Sequence, residues 1–102
     1  MSGELPRPYR HFLKDYPQVA KAYEALGESL NAAGPLDART RHLVRLGIAT
    51  ALQAEGAVKS HARQAQAAGA TPEEIRHAVL LAMTTASFPR MIAALEWLRE
   101  EK

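Results

Sequence analysis

The chain contains no cysteine. That excludes disulfides, thiolate nucleophiles and thiolate-held metals, and it leaves the redox compartment open. Long apolar runs are also missing. The longest falls far short of the roughly 20 residues that a bilayer span needs, and the opening residues Met-Ser-Gly-Glu-Leu-Pro have no apolar signal core. Charge of one sign is scarce: Lys plus Arg exceed Asp plus Glu by only 13 to 11. The one basic cluster, Arg7, Arg10, His11 and Lys14, sits in the N-terminal stretch rather than on one face of a folded body, which is where a nucleic-acid binder concentrates such residues. Neither nucleic acid nor membrane is therefore an expected partner, and a cytoplasmic protein is the expectation. Finally, no segment alternates with period two and no Asn-Gly hairpin signal occurs. What is left is an all-α chain of about five helices.

A chain of 102 residues is one domain by length. Its apolar share is 47%, and alanine is its commonest residue. Alanine buries little area, so the core is thin per residue, and tight helix contacts or a partner subunit would help it.

Residues 1–14 hold two prolines and no sustained period, and read as an N-terminal arm ahead of a helical domain at 15–102. Asp15-Tyr16-Pro17 reads as a helix start, with Asp15 capping and proline in the first turn. Val19, Ala22, Tyr23, Leu26 and Leu30 follow at helical spacing, and Gly34-Pro35 ends that helix. Asp37 caps a second helix, apolar on nearly every side over 43–54, with only Arg45, Thr50 and Gln53 breaking it. A helix without a polar face has to be covered all round. Gly47 inside it costs about 1 kcal/mol relative to alanine, which suggests a close helix crossing. A break is expected at Glu55-Gly56, and a third helix then runs to Ala68 with Gly69 as its stop. Thr71-Pro72-Glu73-Glu74 is a capping box that opens a fourth helix through Ala86. Ser87-Phe88-Pro89 interrupts the pattern before a last helix carrying Ile92, Leu95, Trp97 and Leu98. Any chemistry is expected at the break between the second and third helices, where an imidazole, His61, lies one to two turns in.

Four features together resemble the carboxymuconolactone decarboxylase family, which includes the alkylhydroperoxidase D-type proteins. They are Gly34-Pro35-Leu36-Asp37 before the apolar helix, His61 followed by an Ala/Gln-rich helix to Gly69, Gly69-Ala70-Thr71-Pro72-Glu73-Glu74-Ile75, and Phe88-Pro89 before an alanine-rich last helix. The resemblance covers residues 17–100. It implies an all-helical fold that assembles as a homotrimer or homohexamer, with active sites near subunit contacts. The peroxidase members carry a Cys-x-x-Cys pair ahead of a histidine and a relay glutamate one helix earlier. Placing the histidine on His61 puts alanines, Ala54 and Ala57, where the cysteines stand, and His42 where the glutamate stands. Thiol peroxidase chemistry needs a thiolate, so that activity is not expected. The decarboxylase branch works by acid/base steps on a lactone acid and often has an acidic residue a turn before the histidine. Here Glu55 lies near by but out of register.

The reading is a lyase-like protein that acts on a small organic acid or lactone by histidine acid/base chemistry, with His61 as the first catalytic candidate and Glu55 and His42 assisting. Each residue has a plainer alternative. His61 can be a structural histidine bonded to a backbone carbonyl. His42 can serve as relay or second ligand if the two helices fold back, although a solvated side chain in the first turns of its helix is preferred. Glu55 can simply cap the third helix. Lys59 and Arg45 are the candidates for binding an anionic substrate, against a solvated lysine and an ion pair of Arg45 with Glu24, Glu74 or Glu96. No spacing among His42, Glu55 and His61 is a recognised ligand pair, so no metal and no cofactor is expected. The alternatives to an enzyme are an oligomeric relative that binds a ligand without turnover, and a bare structural assembly.

Overall fold

A computed structural model describes residues 6–100, which hold seven helices and no strand. The chain divides into two compact units, 1–35 and 36–102.

The first unit contains α1 (Arg7–Asp15) and α2 (Pro17–Ala32). Residues 1–5 of the expected arm lie outside the described residues, but most of the rest of it is helical. The signal that was there is aromatic: Tyr9, Phe12 and Tyr16 recur at helical spacing, with ring centroids 6.4 and 6.1 Å apart. This changes the expected start of the next helix. Asp15 is the last residue of α1, and the N-cap of α2 is Tyr16, which makes no side-chain capping bond. The Tyr16 N–H instead donates to the Phe12 carbonyl at 2.9 Å, so the turn that Asp15 would have capped already belongs to α1. Along α2, Val19, Tyr23, Leu26 and Leu30 are all exposed.

The second unit is built on a helical hairpin, α3 (Ala38–Leu52) and α4 (Glu55–Ala67), followed by α5 (Pro72–Leu80), the short α6 (Ala82–Thr85) and α7 (Phe88–Glu100). The starts of α3 and α5 are those written in the sequence. Thr40 N–H donates to the Asp37 carboxylate at 2.9 Å. Glu74 N–H donates to Thr71 Oγ1, and Thr71 N–H donates to Glu74 Oε1, each at 3.0 Å. The Thr40 and Thr71 N–H bonds, each to an ionised carboxylate, hold the Asp37 and Glu74 carboxyls below their ordinary range, as expected when a carboxylate receives backbone N–H groups. Arg39 adds an ion pair to Glu74 at 2.9 Å.

The core comprises Leu46, Ala49, Val58, Ala62, Ala65, Ala70, Ile75, Val79, Met91 and Ala94. Five of these ten are alanine, which lets α3, α4, α5 and α7 approach closely but buries little area per residue. Trp97, Leu95 and Leu98 close it from α7. One expectation about helix shape is corrected. The fourth helix does not run unbroken to Ala86: it ends at Leu80, and Leu81 turns into α6. Within the single chain the apolar helix α3 is covered on one side, and Val44, Ile48 and Leu52 are exposed.

Candidate functional site

The break between α3 and α4 lies at Gln53-Ala54, not at Glu55-Gly56, and no glycine makes it. Gln53 takes the left-handed conformation at φ 58°, a region that costs a side chain energy unless its surroundings hold it there. They do so through hydrogen bonds. Ala54 N–H donates to the Ala49 carbonyl at 3.0 Å and Gln53 N–H to the Thr50 carbonyl at 3.1 Å, the bond pattern that terminates a helix around a left-handed residue. The Gln53 side-chain amide donates to the carbonyls of Thr50 and Arg90, both at 2.9 Å. Arg90 Nη1 donates in return to the Ala51 carbonyl at 3.2 Å. The turn is thus tied to the first turn of α7. Gly56 lies inside α4.

This turn folds α4 back along α3 and brings His42 to His61. Their Nδ1 atoms are 3.2 Å apart and their rings are tilted by 31° with centroids 5.4 Å apart. Both rings are half-buried. Burial pushes both imidazoles toward the neutral form. For His42 the positive charges of Arg45 and Arg41 act in the same direction; for His61, His42 and then Arg45 do so. Two neutral imidazoles at this separation fit one N–H···N bond: one Nδ1 donates and the other accepts. The tautomers follow. The donating ring is left with a basic Nε2, and the accepting ring with an Nε2–H. The pair therefore offers one proton acceptor and one proton donor to whatever binds beside it; once one Nε2 has given its proton and the other has taken one, moving the shared proton leaves both rings neutral with the two roles exchanged.

Arg45, half-buried, belongs to this neighbourhood through its field on both rings. Arg41 was not singled out in the sequence, and its position next to His42 was the available signal. Its Nη1 donates to the Leu36 carbonyl at 2.6 Å, while its Nε is buried with no hydrogen-bond partner. Glu55 and Lys59 are elsewhere. At about 100° per residue, both lie on the far side of α4 from His61. They pair with each other at 3.1 Å, and Lys59 also approaches Glu100 at 3.6 Å. Glu55 occupies the first turn of α4, where a carboxylate favours the helix dipole. Ala54 and Ala57 are partly buried against the core. Among the described residues, no three His, Asp or Glu side chains are placed to hold a metal ion, and no helix is long and apolar enough to cross a membrane.

Two cavities lie in this unit. One, of about 560 Å³, is apolar and is formed by α3, α5 and α6, with Leu43, Val44, Gly47, Ile48, Ala78 and Leu81 in its wall. The other, of about 540 Å³, lies among α4, α5 and α7 and has Lys59, Arg63, Arg76 and Arg99 around it. Neither has His42 or His61 in its lining.

The family profile described as carboxymuconolactone decarboxylase family matches residues 17–100. The chain belongs to this family. A solved structure agrees: the apo form of a carboxymuconolactone decarboxylase family protein from Legionella pneumophila superimposes with a TM-score of 0.79 at 25% identity, over 90% of this chain and 82% of that one. An uncharacterised protein of Haemophilus influenzae is 35% identical over 64 residues, which is 63% of this chain. That match spans little more than half, 57%, of the relative's own length. As a family member, this chain has alanines at 54 and 57 and no cysteine anywhere.

Proposed function

We propose that this protein acts on a small organic acid or lactone by acid/base chemistry at the His42–His61 pair, as a decarboxylase-like lyase without thiol peroxidase activity. The observation that carries the reading is the 3.2 Å approach of the two Nδ1 atoms. Loss of CO2 from a lactone acid leaves its bonding electron pair on the substrate, where a conjugated carbonyl can take it up, and a proton must then replace the departing carbon. An Nε2–H beside the substrate supplies that proton, the second ring's Nε2 accepts one from the substrate or from water, and transfer across the Nδ1 bond leaves both rings neutral again with their roles exchanged. Imidazoles held neutral near pH 7 suit this work. Arg45 is the nearby cation for a substrate carboxylate. Without cysteine the chain has no thiolate to attack a peroxide, which supports the negative half of the reading.

Assembly as a homotrimer or homohexamer belongs to the same proposal. Val44, Ile48 and Leu52 form an exposed apolar stripe along α3, and the imidazoles border neither of the two cavities described above. A neighbouring copy would cover the first and enclose the second. The mass of the protein in solution at micromolar concentration tests this, and a folded monomer would contradict it.

The chemistry is tested by following CO2 release from carboxymuconolactone and related small lactone acids. Wild type should turn over at least one of them, and His61→Ala should lose about 100-fold or more, the range of a general acid/base, with helicity unchanged. Turnover that survives His61→Ala removes the mechanism. Saturable binding of these acids without CO2 release would instead identify a non-catalytic relative.

A further inference from the structure

The cavity among α4, α5 and α7 plays no part in the chemistry above. It is about 160° round α4 from His61: Lys59 and Arg63 stand two residues to either side of that histidine. Its volume of about 540 Å³ falls within the range of small-molecule sites. Three helices each send cations to it, namely Lys59 and Arg63 from α4, Arg76 from α5 and Arg99 from α7, and among the described residues no carboxylate lines it. Beneath the cations the floor is apolar, made by Ile75, Leu95 and Leu98 with Ala62. Ile75 and Ala62 are core residues, so the floor is the hydrophobic core reaching the surface.

A solvated helix face would intersperse charges of both signs, because converging like charges repel. Acids do approach from outside the lining: Lys59 meets Glu55 and Glu100, and Arg99 meets Glu96 at 3.4 Å. They do not neutralise the whole rim. Among the described residues Arg76 makes neither a hydrogen bond nor an ion pair, and it stands exposed at the rim of the cavity, open to an anionic ligand. A guanidinium is built to receive a carboxylate on two parallel N–H groups. A cationic rim over an apolar floor is complementary to a ligand with an anionic head and an apolar body.

We propose that this cavity binds an amphipathic organic anion, a medium-chain or aryl carboxylate, with its head at Arg76 and its body on Ile75, Leu95 and Leu98. The site is separate from the imidazole pair, and it stands whether or not that pair is catalytic.

Calorimetric titration with decanoate, decanol and acetate tests it, each with wild type, Arg76→Gln and Arg76→Lys. Decanoate should bind saturably at one site per chain. Decanol, which keeps the body, and acetate, which keeps the head, should each bind at least tenfold more weakly. Arg76→Gln should weaken decanoate about tenfold and Arg76→Lys should restore part of the loss, while His61→Ala leaves binding unchanged. Higher salt should weaken decanoate and leave decanol alone. Equal affinity for decanoate and decanol, or an Arg76→Gln variant that binds decanoate as wild type does, would overturn the proposal. So would binding that disappears when copies assemble, since the face would then be an interface.

Discussion

The two sides of α4 show how neighbours decide what a polar residue becomes. On one side His61 meets His42 under partial cover, and burial together with nearby cations keeps both rings uncharged. On the other, Lys59 and Arg63 stand at the rim of the cavity among α4, α5 and α7. Both sets are polar residues within one 13-residue helix, and both rest on the same core. The difference teaches that burial removes charge where the group can give up its proton near neutral pH, whereas groups that cannot do so keep their charge at the exposed rim. The core between the two sides is the first place to break the contrast. Leu46 on α3 is fully buried. Leu46→Ala should cost about 2–5 kcal/mol, measured by urea denaturation, and should weaken both sides together. A variant that lost one side and kept the other would show that the two do not share a support.

The uncharged side is sharpened by pH. In the folded chain both imidazoles hold their protons less tightly than an ordinary histidine, whose pKa is about 6.5. Below that value the unfolded chain binds more protons than the folded one, so stability falls as pH drops from about 7 to 5. A His42→Gln/His61→Gln double variant should show a flatter slope across this window. Denaturation midpoints at pH 5, 6 and 7 for both proteins check it, and parallel slopes would mean that the pair is not held neutral by the fold.

A smaller effect is expected at the turn that sets the two imidazoles opposite each other. Gln53→Ala keeps the left-handed backbone and removes two side-chain hydrogen bonds. At roughly 0.5–1.5 kcal/mol each, the loss should be about 1–3 kcal/mol. Gln53→Gly loses the same bonds but relieves the backbone, so it should cost less than the alanine variant in the same denaturation experiment. The reverse order would show that the left-handed backbone at 53 is not strained, and an alanine variant as stable as wild type would show that the bonds to Thr50 and Arg90 do not hold the turn.

This turn also marks where the sequence was legible and where it was not. Helix starts that depend on residues three apart, Asp37 with Thr40 and Thr71 with Glu74, could be read directly. So could Gly69, whose φ of 106° is glycine territory, and whose helix ends with Ala70 N–H donating to the Ala65 carbonyl. The left-handed Gln53 could not be read, because its stabilising partner, the Arg90 carbonyl, is 37 residues away. The approach of His42 to His61 depends on that turn, so spacing alone left His42 as a solvated side chain when it is half-buried against its partner. The cationic cavity needs three helices to be brought together, and only the four-residue spacing of Lys59 and Arg63 hinted at it. Apolar periodicity likewise assigned residues to faces without saying what covers them, and Val44, Ile48 and the α2 stripe are exposed in the chain.

Gly47 brings these lessons to the smallest expected effect. In the sequence it suggests helices too close for a side chain. In the structure a Cβ built there would lie 3.8 Å from the Ala78 carbonyl oxygen, an ordinary contact, beside the apolar cavity of α3, α5 and α6. Nothing in the single chain therefore requires glycine. Gly47→Ala should stabilise the protein by up to about 1 kcal/mol, through helix propensity alone. The measurement is worth making at two protein concentrations, one dilute and one where copies would associate. Stabilisation at both would leave the glycine unexplained by packing of any kind. Stabilisation when dilute and destabilisation when concentrated would mean that a neighbouring copy packs on Gly47, and that the close crossing expected from the sequence lies between chains instead of within one.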